Sequence, residues 1–98
     1  MAADLVLIPS PLVGPETWAG VASALGEAGR TCTIAELEDD GHPPYWRQHV
    51  DSVRRAVPLE ALTVVLVAHS GAGPLLGAIA HELGARVSGL LFVDAGLP

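Results

Sequence analysis

Lysine is absent from this 98-residue sequence, and its five positive charges are all arginines: Arg30, Arg47, Arg54, Arg55 and Arg86. They are scattered, and the net charge is −6. Without a basic patch, nucleic acid and anionic membranes are excluded as expected partners. Cysteine is almost as scarce. Cys32 stands alone, which rules out a disulfide framework and a cysteine-based zinc site; it reads as a small buried hydrophobe. Neither a metal nor a cofactor is expected, and Glu38-Asp39-Asp40 reads as a solvated loop because no second ligand cluster accompanies it. No apolar run approaches the roughly 20 residues of a membrane span. Met-Ala-Ala-Asp lacks the basic stretch of a secretory signal, so a cytoplasmic protein is expected.

Charge of either sign is also thin. Only 16% of residues are charged, against about 25% in an ordinary globular domain. Half of the residues are apolar. A chain this size forms one small domain, here residues 1–98, burying only about 60–65% of its unfolded surface. The apolar excess implies that some of its surface is meant to be covered.

The apolar residues fall into short blocks. Leu5 to Ile8, Thr31 to Ala35, Leu62 to Ala68 and Val87 to Val93 read as strands, continuous enough to be buried on both faces as in parallel sheets. Between them lie three helical patterns. The first runs from Pro15, suited to an opening turn, to Ala28, with Trp18, Val21, Ala22 and Leu25 on one face. In the second, Trp46, Val50, Val53 and Val57 share a face up to Pro58, which leaves His49 toward solvent. The third carries Leu75, Leu76, Ile79, Ala80 and Leu83 and closes at Gly84. Trp18 and Trp46 both read as core anchors. The order βαβαβαβ implies a three-layer α/β domain, a parallel sheet with helices on its faces and right-handed crossovers.

One junction carries chemistry. The third strand runs through Val65-Leu66-Val67-Ala68-His69 into Ser70-Gly71-Ala72-Gly73 and then a helix. Only small residues let a strand and a helix meet so tightly, and such a turn lifts the serine hydroxyl clear of the sheet with a helix N-terminus behind it. Ala68 and Ala72 occupy places where a nucleophile elbow usually has glycine. The same residues also fit an ordinary strand-to-helix turn with a serine cap.

Taken with the βαβαβαβ succession of elements, these segments resemble the α/β-hydrolase fold family, from its third strand to its sixth. Leu5 to Pro11 is similar to the strand and oxyanion loop, Val65 to Gly73 to the elbow, and Leu90 to Ala95 to the sixth strand and its exit. The resemblance implies a truncated α/β-hydrolase fold with strand order 2-1-3-4. Its ligand crevice would lie where that order reverses, between the first and third strands. It implies Ser70 as nucleophile, acting on a small ester or amide, and Gly71 N–H in the oxyanion hole. A second donor is expected from the loop after the first strand. There Pro9-Ser10-Pro11 replaces the usual motif and Pro11 has no N–H, leaving Leu12 as the candidate.

The family's remaining catalytic groups are harder to place. Asp94, ending the fourth strand, is the candidate acid, and equally fits an aspartate capping a turn. His81 lies roughly 16 Å along the following helix and is out of reach. His69 neighbours Ser70, but adjacent strand residues point to opposite faces. His42, in the loop after the second strand, is the remaining candidate base. Two readings stay open: a serine hydrolase short of its histidine, or a non-catalytic binding or assembly unit. Both expect self-association or a partner chain over the open sheet face, since a single helix would cover the side on which the third and fourth strands lie bare.

Overall fold

The computed structural model describes residues 3–95. Four strands form one all-parallel sheet: β1 Asp4–Ile8, β2 Cys32–Ile34, β3 Val64–His69 and β4 Val87–Val93, in the order β2-β1-β3-β4. The two central strands are the most apolar. Val6, Leu7 and Ile8 of β1 and Val64, Leu66 and Ala68 of β3 are buried. The edge strand β2 keeps three residues, although Ala35 N–H still donates to Leu7 O at 2.9 Å.

The helices are α1 Ala19–Glu27, α2 Tyr45–Ala56 and α3 Leu76–Leu83. A tighter 3-10 turn, Pro15–Trp18, precedes α1, and another, Ser70–Leu75, leads into α3. Alternation along the strands sorts the core into two layers. Val6, Ile8, Leu66 and Ala68 meet Val50 and Val53 of α2 and Leu76, Ile79 and Leu83 of α3. Leu7 and Val67 point the other way, against Trp18, Ala22 and Leu25. Each fully buried leucine or isoleucine in these layers contributes about 1.5–3 kcal/mol relative to exposure.

Three features differ from expectation. β3 begins at Val64, not Leu62, because 58–61 is a turn. Ala61 N–H bonds Pro58 O, and the Arg86 guanidinium donates to the carbonyls of both Pro58 and Ala61. Leu62 is left exposed. Trp46 is 52% exposed and not a core anchor, since burial along α2 starts only at His49. His49, read as solvent-facing, is buried: its Nε2 lies 3.0 Å from Asp39 Oδ2.

That pair belongs to a set of bonds tying the loop after β2 to α2. Ser52 Oγ accepts from Glu38 N–H, and Gln48 Oε1 accepts from Asp40 N–H. The Asp39 carboxyl is held below the usual carboxylate range, first by the N–H of Gly41 and then by the hydrogen bond from His49. A carboxyl whose folded value is depressed stabilises the fold fully above its ordinary value of 3.8, and that contribution disappears as the pH falls through the folded value. Wild type should therefore melt higher than Asp39→Asn at neutral pH, and the gap should close under acid. Melting curves across pH check this; a gap unchanged at the acid end would contradict it.

Candidate active site

Strand β3 ends at His69, and the chain turns at Ser70 with φ = 53°. A non-glycine residue in this left-handed region costs of order 1–3 kcal/mol and persists only where its surroundings impose it. Here the cause is the direct junction of a buried strand with the Ser70–Leu75 turn. Ala72 and Gly73 behind it are themselves buried, so a larger side chain would push strand and helix apart. Ser70 stands at the carboxyl end of β3, beside the loop that leaves β1. The path of the strands reverses between β1 and β3, the switch point where crevices of open α/β sheets form.

The loop after β1 packs directly on this turn. A methyl group built on Gly71 would stand 3.0 Å from Ser10 Oγ and 3.6 Å from Pro11 Cδ. Gly71 has no need of glycine's conformational freedom; what crowds a side chain there is Ser10. Ser10 is 2% exposed and its Oγ accepts the Leu12 N–H at 3.2 Å. The Leu12 side chain is almost wholly exposed. In the sequence Ser10 is marked only as a small hydroxyl residue between two prolines at a strand exit.

Asp94 occupies the equivalent place on β4. Val93 pairs with His69, so Ser70 and Asp94 each follow the last paired residue of adjacent strands, and Asp94 also has a positive φ, 48°. It is exposed.

The histidines do not gather here. Among the described residues, no hydrogen bond joins Ser70 to any of them. His42 is highly exposed, with Nδ1 3.1 Å from Asp40 O, and its backbone N–H donates to the Asp40 carboxylate. Its loop leaves β2, two strand spacings or about 10 Å across the sheet from β3. His81 is exposed on α3. His69 shares the α1 face with Val67 and packs edge-to-face on Trp18, ring centroids 5.9 Å apart. Among the described residues, no three histidine, cysteine or carboxylate side chains converge to hold a metal ion, and no helix is long and apolar enough to cross a membrane.

The parallel sheet in the order 2-1-3-4, flanked by helices on both faces, matches part of the α/β-hydrolase fold. No protein-family profile and no curated protein matches the sequence. Solved structures do. An extracellular α/β-hydrolase from a Paenibacillus species, described as homologous to tobacco salicylic acid binding protein 2, superposes with a TM-score of 0.85 at 24% identity over 99% of this chain. Polyneuridine aldehyde esterase does so at 0.82 and 23% over 100% of the chain. A dienelactone hydrolase-like promiscuous phosphotriesterase from metagenomic libraries follows at 0.72 and 16%. The chain spans 42% of the length of the first two and 48% of the third.

Proposed function

We propose that this chain carries the nucleophile half of a serine hydrolase acting on small esters or amides. The observation that carries the reading is the left-handed Ser70, held at φ = 53° between β3 and its following helix. The fold places that turn at the switch point of the sheet, and the structures it resembles include a named esterase and named hydrolases. In this reading Ser70 Oγ attacks the substrate carbonyl carbon. The new C–O bond forms, the leaving alcohol or amine departs with the hydroxyl proton, and water later releases the acid and restores the serine. The Gly71 N–H, first in the turn after the nucleophile, faces the oxygen on which charge develops.

The test is covalent. Incubate the purified chain with a fluorophosphonate in imidazole buffer, which supplies a proton acceptor, and map the adduct by mass spectrometry. Slow modification at Ser70, absent in Ser70→Ala, is the expected result. An unmodified Ser70, or modification no faster than at other serines, would refute the proposal.

A further inference from the structure

From residue 11 to 15, the loop that should supply a second oxyanion donor has no backbone N–H to spare. Pro11 and Pro15 have none. Leu12 N–H donates to Ser10 Oγ, and the N–H groups of Val13 and Gly14 both donate to Ser10 O, at 3.1 and 3.2 Å. Every amide from 11 to 15 is thus missing or spent on Ser10. Ser10 itself is different. Its hydroxyl accepts one hydrogen bond but, among the described residues, donates none. A hydroxyl carries one hydrogen as well as its lone pairs, and buried donors rarely stay unpartnered. Ser10 is 2% exposed, and its Oγ stands at the face of Gly71 that a side chain would fill.

We infer that the Ser10 hydroxyl is the second hydrogen-bond donor to the oxyanion, opposite the Gly71 N–H, doing with a side chain what a backbone amide cannot do beside Pro11. The inference rests on Ser70 being the nucleophile. The bond from Leu12 N–H occupies one lone pair of Ser10 Oγ and leaves its hydrogen uncommitted. A donor held in so dry a place needs little reorganisation when charge develops, and there its effect exceeds that of the same group in water. The absence of a side chain at Gly71 and the presence of one at Ser10 are two halves of one arrangement, since the second fills the space that the first leaves.

A plain turn-forming role, with the hydroxyl only accepting from the amide two residues on, predicts a different outcome. The rate of Ser70 modification by the fluorophosphonate separates the two. Ser10→Ala should slow it by about 10²–10³-fold, as loss of one oxyanion donor does, while Ser10→Thr, which keeps the hydroxyl, should stay within a few-fold of wild type. Circular dichroism and melting temperature show whether each variant is folded. Should Ser10→Ala not fold, Ser10→Cys keeps an atom at the γ position with only a weak donor and should also slow the reaction. A folded Ser10→Ala or Ser10→Cys variant modified at the wild-type rate would overturn the inference and leave Ser70 as nucleophile. Failure of the wild type to react at Ser70 would overturn both.

Discussion

The purified chain should hydrolyse p-nitrophenyl acetate at no more than a trace rate, and Ser70→Ala should change that rate little, since a serine without its base adds little to what binding and the oxyanion hole supply. A serine hydroxyl is a weak nucleophile until a base takes its proton. Among the described residues none of the four histidines bonds Ser70: His49 pairs with Asp39, His42 bonds within its own loop, His69 packs on the ring of Trp18, and His81 is exposed on α3. Serine hydrolases stripped of a triad member keep roughly 10³–10⁴-fold catalysis over water from binding and the oxyanion hole. That residue of activity is what the turn at Ser70 can supply, several powers of ten below a complete enzyme. Turnover should rise if a polypeptide bearing the remaining strands and a histidine is added. Robust turnover by the chain alone, abolished by Ser70→Ala, would contradict this account. His42→Ala would then be the next variant, since its loop leaves the same edge of the sheet.

In sedimentation velocity at low micromolar concentration, the chain should run as species larger than a monomer, in proportions that shift with dilution. The reason lies on the α1 face. Among the described residues only α1 lies there, over β1 and β2, while α2 and α3 share the other side. Beyond α1, Leu91 and Val93 of β4 are 53% and 39% exposed. They form the far wall of an entirely apolar cavity of about 360 Å³, whose near wall is Trp18, Val21 and Leu25. β4 is also an edge strand, with one side of its ladder unpaired. Apolar patches beside an open edge recruit further protein, and in a pure preparation the only such surface on offer is a second copy. Replacing Leu91 and Val93 together by lysine should shift the chain toward monomer. The cost in stability should be small, because neither side chain is buried. A monodisperse wild-type monomer that binds no hydrophobic dye would sink the proposal.

The excess of apolar residues and the near-continuous strands were legible in one dimension, because burial on both faces removes the polar alternation that solvent would demand. The bounds of β4, the exit of β3 at Ser70 and the stop of α3 at Gly84 follow from neighbours in the chain. Misreadings fell where distant partners intervene. Leu62 looked like strand until Arg86 is seen to hold the preceding turn by its carbonyls. His49 looked solvent-facing because Asp39, in the loop after β2, is invisible to periodicity. Trp46 shares the apolar period of α2, but period alone does not say where along a helix burial begins.

What the sequence determined by itself is the class of fold and the turn that carries Ser70. Hydrophobic period and small-residue spacing act over a few residues, and they choose strand, helix and junction locally. What only the tertiary structure decided is who stands beside that turn. Strand order brings the end of β1 against the end of β3 and so sets Ser10 against Gly71, while it keeps the loop of His42 two strands away. Such neighbours come from folding distant segments onto one sheet edge, and no local pattern encodes the distance between them.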